Sequence, residues 1–277
     1  MAWPQTMLMV NPEHFDVVYG INPHMVDQKG ELNKVDHDLA KSQWEALKTS
    51  FEKSGMNVDV LPGQSDLPDM VFCANQTFPF EKEGQRHLIL SNMQSEKRQP
   101  EVPFFEKWAK DKGYITHTVE TPLFEGMGDL LWNYETKALY GGYGFRTSPE
   151  VYSEIEKIVG QRIVTLELTS EHFYHLDTCL SILNGKTAAY VKEAFTEEGL
   201  NTLKSEFNHL IEVPISEATN QLACNMCTPN GQDVIIQKGA SETNRQLMAH
   251  GFNVIEVETS EYIKSGGSVF CMKQLLF

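Results

Sequence analysis

The chain has 277 residues, 41% of them apolar, enough for one large buried core. Its formal net charge of −15 argues against a nucleic-acid partner, which needs clustered Lys and Arg, and suits a small cationic substrate drawn into an acidic cleft. Five irregularly spaced cysteines, no export leader over residues 1–10 and no apolar run of ~18–20 residues predict a reduced, cytoplasmic enzyme that does not span a membrane.

One pattern recurs along the chain at a period of roughly 50 residues. Each unit has an apolar strand, an amphipathic helix, a strand rich in Val and Ile, and then a short segment of polar residues in an apolar setting. The first unit predicts a strand over 7–10, an insert over 11–34, a helix over 36–53, a strand over 58–61, and the segment DMVFCANQTF from Asp69. The second predicts 88–91, 102–112 and 115–119, then FEGMGDLLWN from Phe124. The third predicts 138–142, 149–159 and 163–166, then FYHLDTCLSIL from Phe173, with Pro149 opening the helix and Thr147 or Ser148 capping it. The fourth predicts 188–191, 197–208 and 210–213, then LACNMCTP from Leu222. The fifth predicts 234–237, 242–250 and 254–257, then GGSVFCMKQLL from Gly266. Gly55, Gly113, Gly160 and Gly251 fall where helices should stop. No unit can bury a core alone. One domain over 1–277 is therefore expected, its units closed around a common axis and its strand-like final segments lining the centre.

Such closure brings Asp69, Asn75, Glu125, Asp129, His175, Asp177 and Cys271 to one pocket. A nucleophilic cysteine needs thiolate character, which an imidazolium supplies, so His175 is the expected partner and proton shuttle, oriented by Glu125. Asp177, two residues on, is expected on the same side of a strand. A guanidinium is planar, permanently charged and carries five donors; Asp177, Glu125 and the Asn75 carbonyl offer it a fork of acceptors. Gly126 and Gly128 around Glu125, and Gly266 and Gly267 before Cys271, mark either close backbone approach or plain turns.

Taken singly, these residues have ordinary explanations. A cysteine in a strand over 268–275 is usually a small buried hydrophobe, and Cys73, Cys179 and Cys224 read as packing. Zinc is weighed because Cys224 and Cys227, and His172 and His175, have ligand-like spacing, but residues three apart in a strand face opposite sides. No metal or other cofactor is expected, since thiolate and imidazole suffice at an electrophilic carbon.

The set resembles the guanidino-group modifying (pentein) superfamily of arginine deiminases, amidinotransferases, dimethylarginine dimethylaminohydrolases and arginine dihydrolases. The resemblance spans essentially the whole chain and rests on VNPEHFDVVYGINPHM near the start, PDMVFCAN at 68–75, FEGMGD at 124–129, YGFRT at 143–147, HLDT at 175–178 and GGSVFC at 266–271. It implies an α/β fold, a five-bladed pseudo-symmetric propeller with one strand–helix–strand unit per blade. It implies a triad of Cys271 as nucleophile, His175 as general acid and base, and Glu125 as the paired carboxylate. Asp177 resembles the guanidinium-binding aspartate, and Arg98 and Arg146 resemble clamps on the substrate α-carboxylate. Asp69 resembles a support for the amino-acid end, and Asn22 a loop residue near the substrate. Asp129 joins the substrate-binding set through its place in the second segment.

Asn75 departs from the deiminase pattern, which has a carboxylate there, and resembles the arginine dihydrolases. An amide is both donor and acceptor, so it can hold a neutral citrulline-like intermediate for a second attack. The expected function is that of a stand-alone cysteine hydrolase converting arginine to ornithine, ammonia and carbon dioxide through a covalent thiouronium. The alternatives are a deiminase or dimethylarginine dimethylaminohydrolase giving citrulline, and a non-catalytic ribosome-binding factor of the same fold. The joint presence of Cys271, His175, Glu125 and two arginines argues against the last. The expected partner is a small molecule, with homo-oligomerisation left open.

Overall fold

The predicted repeats appear, in the computed structural model that describes residues 3–277, as five small sheets, four of three strands and one of two. The first unit contains β1 (Thr6–Val10), α1 (His37–Lys53) and β2 (Asn57–Leu61). The second contains β3 (Thr77–Lys82), β4 (Gln85–Leu90), α2 (Val102–Asp111) and β5 (Ile115–His117). The third contains α3 (Gly126–Asp129), β6 (Leu130–Asn133), β7 (Ala138–Tyr143), α4 (Val151–Val159) and β8 (Ile163–Glu167). The fourth contains β9 (Leu180–Ile182), β10 (Thr187–Tyr190), α5 (Glu197–Glu206) and β11 (His209–Glu212). The fifth contains α6 (Ile215–Asn220), β12 (Asp233–Gln237), α7 (Ser241–Ala249) and β13 (Asn253–Val257), and the chain ends with α8 (Ser260–Ile263) and β14 (Gln274–Leu276).

Every unit repeats one topology. Its opening strand runs parallel to its exit strand, as β1 does to β2 and β12 to β13, because a helix crosses between them. A third strand lies antiparallel on the other side of the opening strand: β3, β6 and β9 in the middle units, and β14 against β1 in the first. The fifth unit has only the Cys227–Ile235 bridge at this place. The opening strand is thus central and buried, whereas an exit strand such as β2 is an edge and partly exposed. Helix α1 turns Ala40, Trp44, Leu47 and Phe51 inward at spacings of three and four, which is the helical period. Asp36 caps it by accepting from Leu39 N at 3.0 Å.

Two expectations change. Helix α4 starts at Val151, not at Pro149, and no side chain caps it; the Thr147 hydroxyl serves the site instead. The closing segments are strands only in part: each opens with a tight turn, the 3₁₀ turns at Pro68–Val71 and Leu176–Thr178, the single helical turn α3, and turns around 222–227 and 265–272, and four of them then run on into β3, β6, β9 and β14. A turn carries more polar side chains to one place than a strand, which alternates its faces.

Hydrogen bonds join these turns into a closed ring in chain order. Ala74 N donates to Cys271 O at 3.1 Å, and Met127 N to Ala74 O at 2.8 Å. Leu176 N donates to Asp129 Oδ1 at 3.0 Å, and Asn225 Nδ2 to Asp177 O at 3.0 Å. Phe270 N returns to Asn225 O at 3.0 Å.

Lys273 departs from packing logic. It is fully buried, and Nζ has no hydrogen-bond partner among the described residues, only the Phe270 ring with its centroid 3.1 Å away. Burial lowers its pKa, against the pull of Cys227, Asp177 and Cys73. A depressed lysine costs stability most when both folded and unfolded chains are protonated, and least above its ordinary value. Lys273→Met should therefore raise unfolding free energy at neutral pH by about 1–3 kcal/mol in urea titrations. That gain should shrink as pH rises towards 10.5. A less stable variant at neutral pH would mean that the buried amine is held by something beyond the ring.

Candidate active site

The ring encloses one end of a cleft of about 310 Å³, lined by Asn22, Asp69, Asn75, Arg98, Arg146, Tyr174, His175, Gly266 and Cys271 among others. Seven of the ten predicted site residues line it. Glu125 and Asp177 stand behind the lining, in contact with His175 and Cys271 respectively.

His175 is an extended residue between two 3₁₀ turns, Glu171–Phe173 and Leu176–Thr178, and its Nε2 lies 2.6 Å from Glu125 Oε2. Burial would raise the Glu125 pKa, but the bond and charge of His175, then Arg146 and Arg98, hold it down at about 2. A carboxylate only accepts, so Nε2 carries the hydrogen and Nδ1 faces Asn75 Nδ2 at 3.5 Å. Glu125 Oε1 also accepts from Gln94 N at 3.0 Å, which fixes the carboxylate's plane. Gly128 lies against the His175 ring and the Asn75 amide; a side chain there would overlap the amide and crowd the ring.

Cys271 sits in the turn before β14 and is 4% exposed. Its Sγ lies 3.2 Å from Asp177 Oδ2 and accepts from Asn225 Nδ2 at 3.2 Å. Its expected partner as an ion pair was His175; in this structure the partner is Asp177. Burial and then the Asp177 charge push the thiol pKa well up, so the resting sulfur is protonated. Asp177 itself is pushed up to about 7 by burial, opposed by Cys271, Lys273 and Asn225. Asp177 reaches the site because a turn, not a strand, separates it from His175. Its Oδ1 is buried with no hydrogen-bond partner among the described residues, and an acceptor so placed suits a planar cation.

The arginines are unequal. Arg98 spends Nε and Nη2 on Glu101, Nη2 also on the Asp69 and Phe72 carbonyls, and Nη1 on Asn75 Oδ1 at 2.9 Å. It lines the cleft with its fork already engaged, so it builds the wall as much as it faces a ligand. Arg146 is less committed: Nη2 donates to Ile21 O at 2.8 Å, Nη1 to Glu125 at 3.4 Å, and its plane lies over Tyr174. Asp69 accepts from Ser265 Oγ at 3.0 Å and has the Tyr19 hydroxyl beside its carboxylate, with burial raising its pKa against the Arg98 charge. Asn22 reaches over the cleft to donate to Ser265 O at 3.0 Å. Gly266, at φ +86°, gives it room; a side chain would meet the Asn22 amide and the Tyr174 hydroxyl at 2.8 Å.

Asp129 does not line the cleft. Its carboxylate accepts from Thr147 Oγ1 at 2.7 Å and Leu176 N at 3.0 Å, and burial pushes it up to about 6. It links the ring and supports the turn that carries His175, one step back from the cleft where it was expected. Cys224, weighed as a zinc ligand, donates its thiol to Ala189 O. The residue that sequence reading passed over is Asn225, between Cys224 and Cys227. The repeat itself pointed there, since it occupies the fourth closing segment as His175 occupies the third.

The family described as N,N dimethylarginine dimethylhydrolase, eukaryotic, matches residues 12–277. The chain is 33% identical over 276 residues to a bifunctional arginine dihydrolase/ornithine cyclodeaminase of Synechocystis sp., covering 98% of this chain and 38% of that protein. It is 34% identical over 263 residues to the N(G),N(G)-dimethylarginine dimethylaminohydrolase of Mycobacterium tuberculosis, covering 95% of this chain and 83% of that protein. The chain spans less than two fifths of the cyanobacterial relatives it matches. Among solved structures, the product-bound N-terminal domain of a cyanobacterial arginine dihydrolase superposes with a TM-score of 0.90 at 31% identity, covering 98% of this chain and 97% of that one. The chain belongs to this dimethylarginine dimethylhydrolase family, in the guanidino-modifying superfamily of hydrolases that act on guanidino C–N bonds.

Proposed function

We propose that the chain is an arginine dihydrolase, in which arginine and two waters give ornithine, two ammonia and carbon dioxide. The observation that carries this reading is the orientation of Asn75. Arg98 holds its Oδ1 at 2.9 Å, so Nδ2 is the atom turned towards His175 and the cleft. A donor there suits the oxygen of a neutral ureido group and does nothing for a guanidinium, which has only donors.

The substrate guanidinium lies against Asp177 Oδ1, and Arg146 takes the α-carboxylate, with Asp69 at the ammonium end. The cation's field lets the Cys271 proton pass to His175 Nδ1, with Glu125 stabilising the imidazolium. The thiolate attacks the guanidinium carbon; His175 returns the proton to the departing ammonia and a thiouronium remains. Water, deprotonated by His175, expels the thiolate and leaves the ureido compound. Held by Asn75, it undergoes a second attack. The other ammonia leaves, and the hydrolysed product is a carbamate that decomposes to ornithine and carbon dioxide.

The wider parts of this reading have their own support. Closure of the five units into a propeller is supported by the ring of hydrogen bonds from the first turn back to itself and by β14 pairing with β1. The reading of one domain over 1–277 is supported by the same ring, which draws on all five units. A cytoplasmic site of action is supported by five free cysteines, and among the described residues no helix is long and apolar enough to cross a membrane.

A second reading, release of citrulline from arginine or methylated arginine, is favoured by the family match and the mycobacterial relative. Incubation with L-arginine separates the two. Ornithine with about two ammonia per arginine and no accumulating citrulline is expected. Citrulline with one ammonia would replace the dihydrolase reading with the deiminase one, and turnover of dimethylarginine alone would do so in favour of the methylated substrate.

A further inference from the structure

Asn225 is fully buried, and both polar atoms of its side chain are engaged. Oδ1 accepts from three backbone amides of one turn: Ser268 N at 3.2 Å, Phe270 N at 3.1 Å and Cys271 N at 3.2 Å. Nδ2 donates to Asp177 O at 3.0 Å and to Cys271 Sγ at 3.2 Å. One side chain therefore fixes the turn that presents the sulfur and touches the sulfur itself.

A link in the ring needs only the Asp177 carbonyl and a backbone amide. Asp129, the other side-chain link, has no comparable contact with a reacting atom. The second Nδ2 hydrogen is spent on Sγ, a weak acceptor as a thiol and a strong one as a thiolate. Beside the Ser268 backbone, which favours the anion from the same turn that Asn225 Oδ1 fixes, few other groups stabilise it from nearby. Asp177 opposes it, Tyr174 is neutral, and Lys273 lies behind with burial lowering its pKa; His175, Arg98 and Arg146 stand on the cleft wall.

We propose that Asn225 is the thiolate-holding residue of the site, donating Nδ2–H to the Cys271 sulfur as it ionises while Oδ1 fixes the turn beneath it. The role deepens the guanidino-hydrolase reading, yet the thiolate can be measured without any substrate.

The test is alkylation of Cys271 by iodoacetamide in the substrate-free full chain, located by peptide mass and followed against pH, in wild type, Asn225→Asp and Asn225→Ser. The aspartate keeps an acceptor for the three amides but turns an oxygen towards the sulfur. The midpoint should rise by about one pH unit or more, and alkylation below it should slow about tenfold. The serine variant should shift the same way by less. With L-arginine, kcat should fall in both while KM changes little. An unchanged midpoint in the folded variants would overturn the proposal, as would loss of folding in both, since either outcome makes Asn225 a link and nothing more. The substrate reading fails separately: a shifted midpoint in a protein inert to arginine would keep the role of Asn225 and discard the dihydrolase.

Discussion

Cys271→Ser is expected to turn over L-arginine roughly 10⁴-fold or more slowly than wild type, and His175→Ala by a comparable factor. The serine hydroxyl ionises far less readily than a thiol, and at this site even the thiol is pushed up by burial and by Asp177. The Asn225 amide and a guanidinium cation beside Asp177 lower that barrier, but too little for an alcohol. The alanine variant removes the one base whose free nitrogen faces the cleft, so neither the thiol proton nor the leaving ammonia is served. Because the two residues act on one proton, the double variant should be scarcely worse than either single. Ornithine and ammonia release measure the loss, and circular dichroism checks the fold. Near-normal turnover in either variant would discard the covalent scheme. His175→Ala should also be the less stable of the two. Glu125 owes much of its depressed pKa of about 2 to His175. That pairing stabilises the fold above the ordinary glutamate value of 4.5 and is lost as pH falls through about 2, so its removal is felt at neutral pH.

Much of this arrangement is legible in the sequence because repetition is. Each opening strand is a largely buried apolar run, and four of the five repeat helices end beside a glycine that adopts positive φ, as Gly55, Gly113, Gly160 and Gly251 do, while α5 ends at Phe207. A fivefold repeat then states that its polar segments meet, which is how residues as far apart as Asn75, His175 and Cys271 share a cleft. The local form of those segments was not legible. Apolar residues flank them on both sides, as in a buried strand, yet each needs a turn to aim two or three side chains at one point. Nor does composition reveal which carboxylate touches substrate. Asp129 and Asp177 are alike in sequence context and in burial, and differ only in their neighbours: Thr147 and Leu176 N for one, Cys271 and an unpartnered oxygen for the other. Arg98 was similarly opaque, since its buried partner Glu101 lies on the next turn of chain and claims the fork that a substrate carboxylate would use.

Asn75→Asp should convert an enzyme that yields ornithine into one that releases citrulline. The backbone carbonyl at this position is held by Ser91 Oγ at 2.6 Å, so the new side chain enters the same place. Arg98 keeps one carboxylate oxygen, and the other replaces Nδ2 beside His175. An anion there strengthens the hold on the guanidinium in the first half of the reaction. In the second half it faces the ureido oxygen with a lone pair where a donor had been. A lost hydrogen bond that leaves two acceptors opposed costs about 1–3 kcal/mol, and each 1.4 kcal/mol is a factor of ten in retention. The neutral intermediate should then leave before the second attack, with citrulline exceeding ornithine by about tenfold or more while arginine consumption continues. Chromatographic quantification of both amino acids against ammonia reads the ratio directly. If ornithine and two ammonia persist unchanged, the amide is not what retains the intermediate, and Asn75 drops out of the case for the second cycle.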